Sequence, residues 1–113
     1  WKVFKPEYSG TYRGKPAVFE LKIALARFDN IEFELIQPLK GPTIHNEFLE
    51  KNGDGLHHIG FFVTNIAEKI AELEKMNFDV IQSGSRPAAT LAYLQNEKKS
   101  SIIIELVERY QKI

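Results

Sequence analysis

Leu56-His57-His58-Ile59-Gly60-Phe61-Phe62-Val63 is the run from which the rest of the chain can be placed. It follows the turn-forming Asn52-Gly53-Asp54-Gly55 and is rich in branched and aromatic residues, so it reads as a β-strand. Side chains alternate along a strand. His57, Ile59, Phe61 and Val63 therefore share one face, and His58, Gly60 and Phe62 the other. A histidine beside a glycine leaves room for something to approach its ring. Taken alone, His58 still reads as a partly buried structural histidine. What changes that reading lies elsewhere in the chain.

Upstream, Trp1 to Pro6 is strand-like, and Tyr8 to Pro16, with Gly10, Gly14 and Pro16, reads as a loop. Ala17 to Arg27 alternates, with Phe19, Leu21, Ile23 and Leu25 on one face and Glu20, Lys22, Ala24 and Ala26 on the other. Phe28-Asp29-Asn30 turns the chain into a strand over Ile31 to Ile36, which Pro38 is expected to end. Thr43 is the expected N-cap of a short helix carrying Ile44, His45, Phe48 and Leu49 and stopped by Gly53. Downstream, Ile66 to Met76 is the clearest helix. Asn65 and Glu68 resemble a capping box, and Ile66, Ile70 and Leu73 form a stripe that packs on a sheet. Short strands are expected over Phe78 to Gln82, Leu91 to Gln95 and Ser101 to Glu108. Ser83 to Pro87 reads as a loop and Asn96 to Lys99 as a turn.

The 113 residues suit one small domain, and 43% apolar with 27% charged residues is ordinary for a soluble globular protein. Fifteen basic and fifteen acidic residues cancel, which argues against nucleic acid as the main partner. Apolar runs fall short of the roughly 20 residues of a membrane span. The absence of cysteine excludes thiol catalysis, disulfides and cysteine zinc sites. A cytoplasmic location is the default expectation.

An internal repeat then appears. Phe33-Glu34-Leu35-Ile36 closes the first set of strands and Ile104-Glu105-Leu106-Val107 the second. The second half runs strand, helix, strand, strand, strand; the first half shows only the last three strands. The expected fold is α+β, with paired β-α-β-β-β modules forming a cupped mixed sheet. The first module (1–38) is incomplete, 39–55 is a linker with the short helix, and 56–113 is the complete second module. A glutamate among Ile and Leu in a strand is costly unless it is paired or bound to a cation. Two such glutamates in matching registers, with a histidine on a third strand, suit a divalent metal.

Glu34-Leu35-Ile36-Gln37-Pro38-Leu39, Phe48-Leu49-Glu50-Lys51-Asn52-Gly53 and Gly55-Leu56-His57-His58-Ile59, in that order, resemble the vicinal-oxygen-chelate superfamily. That superfamily holds glyoxalases, methylmalonyl-CoA epimerases, extradiol dioxygenases and bleomycin-resistance proteins; the epimerase and glyoxalase-like branch is the most similar. The ending Ile103-Ile104-Glu105-Leu106-Val107-Glu108 is similar too. The resemblance implies that His58, Glu105 and Glu34 are metal ligands for Zn, Mn, Co, Ni, Fe or Mg, and that Glu105 or Glu34 moves a proton. A fourth ligand on an opening strand of the first module has no counterpart, and neither does the helix expected after it. The chain is accordingly expected to be a fragment, a shortened form, or a protein completed by association, most simply a homodimer. The loop before the last strand, Gln95 to Ser100, departs from the epimerase pattern and weakens a methylmalonyl-CoA assignment.

The function expected is that of a metal-dependent isomerase, epimerase or lyase acting on a small molecule at a carbon next to a carbonyl. Arg86 is a candidate for holding an anionic substrate group, and Glu20 a weaker second carboxylate. His57 is expected to face the helix side as a structural residue. The alternatives are a resistance-type binding protein without metal and an extradiol-type dioxygenase.

Overall fold

A computed structural model describes residues 1–98 and 102–110. Strand β1 (Lys2–Phe4) and β2 (Glu7–Tyr12) lie end to end along one side of β3 (Lys15–Phe28), and β4 (Ile31–Lys40) lies along its other side. Helix α1 (Ile44–Asn52) leads to β5 (His58–Phe62), α2 (Ile66–Lys75), β6 (Asp79–Arg86), β7 (Ala89–Gln95) and β8 (Ile103–Arg109). One mixed sheet results, in the order β4, β3, β1 with β2, β6, β7, β8, β5, and it curls into a half-barrel. Among the described residues only β5 and β8 pair in parallel, joined by a long crossover through α2, β6 and β7. The curl brings the two ends of the sheet face to face: Arg109 of β8, the strand next to the β5 edge, reaches Glu32 of the edge strand β4 at 3.1 Å.

Period-two patterning sets the layers. Phe19, Leu21 and Ile23 of β3 join Tyr8, Ile81, Leu91, Tyr93 and Ile44 in the core inside the curl. The opposite faces of β7 and β8, through Ala92, Leu94 and Leu106, take the Ile66, Ile70 and Leu73 stripe of α2. The helix caps form as the sequence dictates: Thr43 accepts from Asn46 N–H, Asn65 accepts from Glu68 N–H, and Gly53 closes α1 at φ 73°. Among the described residues no helix covers the outer face of β3 and β4, where Val18, Phe33 and Leu35 stay exposed.

Three sequence expectations need correction. Tyr8 to Pro16 is not a loop but most of β2, a two-residue turn at Arg13-Gly14, and the start of β3. Ser83 to Arg86 is likewise the end of β6. These two stretches pair with each other, Ser9 to Tyr12 against Gln82 to Ser85, and so join the halves of the sheet. Their small residues permit the approach: a Cβ on Gly10 would stand 2.1 Å from the Ser83 carbonyl oxygen. Pro38 does not end β4, which runs on to Lys40. The strand lies at the sheet edge, where a missing N–H costs no ladder bond, and the register shifts beside it. Lys99 and Ser101, placed in a turn and at a strand start by the sequence, lie outside the described residues.

Candidate metal centre

His58 opens β5, and Glu105 lies on the neighbouring strand β8, where Gly60 is its backbone partner. A Cβ on Gly60 would come within 3.1 Å of Glu105 Oε1, so the glycine leaves room for the carboxylate. Glu34 comes from β4, the opposite edge of the sheet. The curl puts His58 Nε2 at 3.1 Å from Glu105 Oε1 and 3.4 Å from Glu34 Oε1. One ligand atom from each residue lies within 4.8 Å of the others. The remaining two sequence candidates stand apart from this set. Glu20 pairs with Lys40 at 3.6 Å, on the strand face opposite Phe19 and Leu21. Arg86 closes β6 with its guanidinium 5.8 Å from the rings of both Phe4 and Tyr8 and its Nε buried without a hydrogen-bond partner.

The electrostatics are those of charges removed from water. Glu105 is 6% exposed. Burial pushes its carboxyl up; the His58 hydrogen bond and charge oppose that, and the negative Glu34 adds to it. Burial alone would lower the His58 pKa, but hydrogen bonds to Glu105 and Glu34 outweigh it and raise it to about 9. Two facing carboxylates thus demand a positive charge between them, which a proton on His58 supplies in part. A divalent cation suits this set better. Buried carboxylate oxygens and an imidazole nitrogen are ligands for such an ion, and their negative charge matches it. The residues fit.

Sequence reading missed the groups around this set. Tyr93 of β7 is fully buried, pairs with Glu105 across the ladder, hydrogen-bonds its carboxylate and stacks edge-on to His58 at 5.1 Å. Burial raises the Tyr93 phenol well above its ordinary value. Tyr8 also feels both glutamates, which add to the rise that its burial causes. Alternation along Leu91 to Gln95 was the available signal, since it puts Tyr93 with Leu91 on the inner face. His57 faces α1, with its ring against Phe48 and His45. A cleft of about 650 Å³ between α1 and the ends of β5 and β7 reaches the two adjacent histidines and is lined also by Arg13, Glu47 and Ile103. Arg13 holds Glu47 at 2.5 Å and Glu97 at 2.9 Å across its mouth.

Residues 2–94 match the model of the glyoxalase/bleomycin resistance protein/dioxygenase superfamily. The chain belongs to this superfamily. It is similar to the uncharacterized protein YqjC of Bacillus subtilis (strain 168), 31% identical over 96 residues that cover 80% of this chain and 69% of the relative. It is also similar to the crystal structure of the hypothetical protein BH1468 from Bacillus halodurans C-125. There the TM-score is 0.68 at 26% identity, over 82% of this chain and 70% of the other. Members of the superfamily bind small molecules, often with a metal and often as oligomers. The α+β half-barrel is the superfamily's fold.

Proposed function

We propose that this protein is a divalent-metal-dependent isomerase, epimerase or lyase of the glyoxalase type, moving a proton at a carbon next to a carbonyl. The observation that carries the reading is the Glu34–His58–Glu105 set, assembled from both edges of the curled sheet with its ligand atoms within 4.8 Å of one another. These residues would hold the ion, with zinc, manganese, cobalt, nickel, iron and magnesium all compatible with one imidazole and two carboxylates. When bound, the ion would act as a Lewis acid that stabilises negative charge on a substrate oxygen as the neighbouring proton leaves.

The chain's own groups supply the rest. Glu105, whose burial favours the protonated form, is suited to accept a carbon-bound proton and return it. Glu34, with its side chain 30% exposed, is the second carboxylate within reach of the same substrate. Arg86 would hold an anionic substrate group with the Phe4 and Tyr8 rings as its platform. One histidine with two carboxylates differs from the two-histidine, one-carboxylate set of an iron dioxygenase, which favours proton transfer over oxygen chemistry. The working unit is a homodimer or higher homo-oligomer.

Deuterium exchange tests this reading. Metal-loaded protein in D₂O should wash deuterium into the position next to the carbonyl in some member of a panel of 2-oxo and 2-hydroxy acids and thioesters. Glu105→Gln and Glu34→Gln should lower that rate at least about 100-fold, in line with losing a positioned acid–base group. Exchange no faster than in buffer, with the ion bound, would overturn it.

A further inference from the structure

His57 Nδ1 lies 2.9 Å from His58 Nδ1. We propose that His57 is a positioning residue: it accepts a hydrogen bond from His58 Nδ1–H and so fixes the tautomer and ring orientation in which His58 Nε2 faces Glu34 and Glu105. The inference rests on the metal reading above and adds a residue that the reading did not use.

The direction of the bond follows from what His58 must do with its other nitrogen. Nε2 is the atom aimed at the two carboxylates, at 3.1 and 3.4 Å. A neutral imidazole that gives a lone pair from Nε2 carries its proton on Nδ1. His58 Nδ1 is then the donor, and His57 Nδ1 must accept. His57 in turn carries its own proton on Nε2. Metal-ligating histidines commonly donate their second N–H to an outer partner that sets their orientation. That partner is usually a carboxylate, a carbonyl or water; here the adjacent residue on the chain occupies the place.

Adjacent residues on a regular strand point to opposite faces, so this contact needs a local departure from strand geometry. It exists: β5 begins at His58, and His57 precedes the ladder. The first turns of α1 hold the His57 ring. Phe48 meets it edge-on at 5.2 Å, and His45 lies against it at 4.7 Å with 33° between the planes. The start of α1 is itself anchored, because Ile44 N–H donates to the buried Gln82 Oε1 at 2.7 Å. Helix α1 therefore sets His57, and His57 sets His58.

His57 Nε2 and both ring nitrogens of His45 are buried without a hydrogen bond of good geometry. His45, His57 and His58 also bring one ring nitrogen each within 4.8 Å of one another, a second set that could hold an ion. The carboxylate side is the better seat for a cation, because His58 Nε2 stands there beside two negatively charged groups at 3.1 and 3.4 Å, whereas the imidazoles offer no negative charge. With the ion on the carboxylate side, the role of His57 is orientation.

Zinc binding and ring-nitrogen NMR on wild type, His57→Asn, His57→Phe and Glu105→Gln decide the matter. Asparagine can offer an oxygen near the position of Nδ1; phenylalanine keeps bulk and offers no acceptor. His57→Phe should bind zinc about 10–100-fold more weakly, as outer-partner losses do. His57→Asn should recover most of that loss, with the two variants alike in thermal midpoint. In zinc-loaded wild type the spectrum should show a proton on His58 Nδ1 and none on His57 Nδ1. Zinc affinity unchanged in His57→Phe, or a proton on His57 Nδ1, would overturn the inference. If His57→Phe fails to fold, the nitrogen spectrum of wild type alone still confirms or overturns it. Wild type that binds no zinc, or binds it equally well as Glu105→Gln, would instead overturn the metal reading itself.

Discussion

At the scale of single residues, the site is a balance of burial against charge, and pH should expose it. His45 and His57 are pushed down, to about 3 and about 4, chiefly by burial and then by neighbouring histidines. Groups with depressed pKa values contribute stability above their unfolded value near 6.5, which is lost as pH falls toward the folded values. His58 has the opposite sign. Raised to about 9, it contributes stability that is full below about 6.5 and lost as pH rises through 9. Urea unfolding of metal-free protein should therefore show an acid limb below about pH 6.5 and an alkaline limb between about 6.5 and 9. His58→Gln should remove the alkaline limb and keep the acid one; a flat alkaline response in wild type would contradict this assignment. Gly60 offers a second check. Alanine there places a Cβ 3.1 Å from Glu105 Oε1 and should weaken divalent-ion binding about 10-fold while leaving the fold intact, readable by calorimetry. His58, Glu34 and Glu105 were legible because charged and polar groups interrupt otherwise apolar strands. Tyr93, which hydrogen-bonds Glu105, was not legible as a site residue, because a buried tyrosine in a strand looks like any core aromatic.

At the scale of elements, the helices and the strands with strong alternation were read closely, since their caps and stripes are local signals. Thr43 and Asn65 cap where expected, and β3 presents Phe19, Leu21 and Ile23 to the core as its period required. The seam between the halves escaped, for a physical reason. β2 and β6 approach so closely that Gly10, Ser83 and Gly84 must be small, and small polar residues read as loop. Gly10→Ala should accordingly be among the most damaging single changes. Its Cβ would sit 2.1 Å from a backbone oxygen that cannot swing away, and we expect a loss of about 3 kcal/mol in chemical denaturation. Thr43→Ala removes the acceptor for Asn46 N–H and should cost about 1 kcal/mol.

At the scale of the whole molecule, the two halves differ in what covers them. The outer face of β7 and β8 lies under α2, while the corresponding face of β3 and β4 leaves Phe33 56% and Leu35 61% exposed, and among the described residues β4 pairs only with β3 and so has a free edge. Exposed strand edges and contiguous apolar surface are liabilities for a monomer. Sedimentation at micromolar concentration should show a dimer or larger species, and Phe33→Glu with Leu35→Glu should move it toward monomer; a wild-type monomer would count against it. The same curl that leaves this edge free carries Glu34 across to His58, a juxtaposition that no local pattern in the sequence announces. The central claim is that residues from both sheet edges share one ion, and a calorimetric titration of metal-free protein with zinc tests it most directly. One ion per chain, with affinity reduced about 100-fold or more in Glu34→Gln, His58→Ala and Glu105→Gln alike, is the predicted result. No saturable binding in wild type, or binding that all three substitutions leave unchanged, would contradict it.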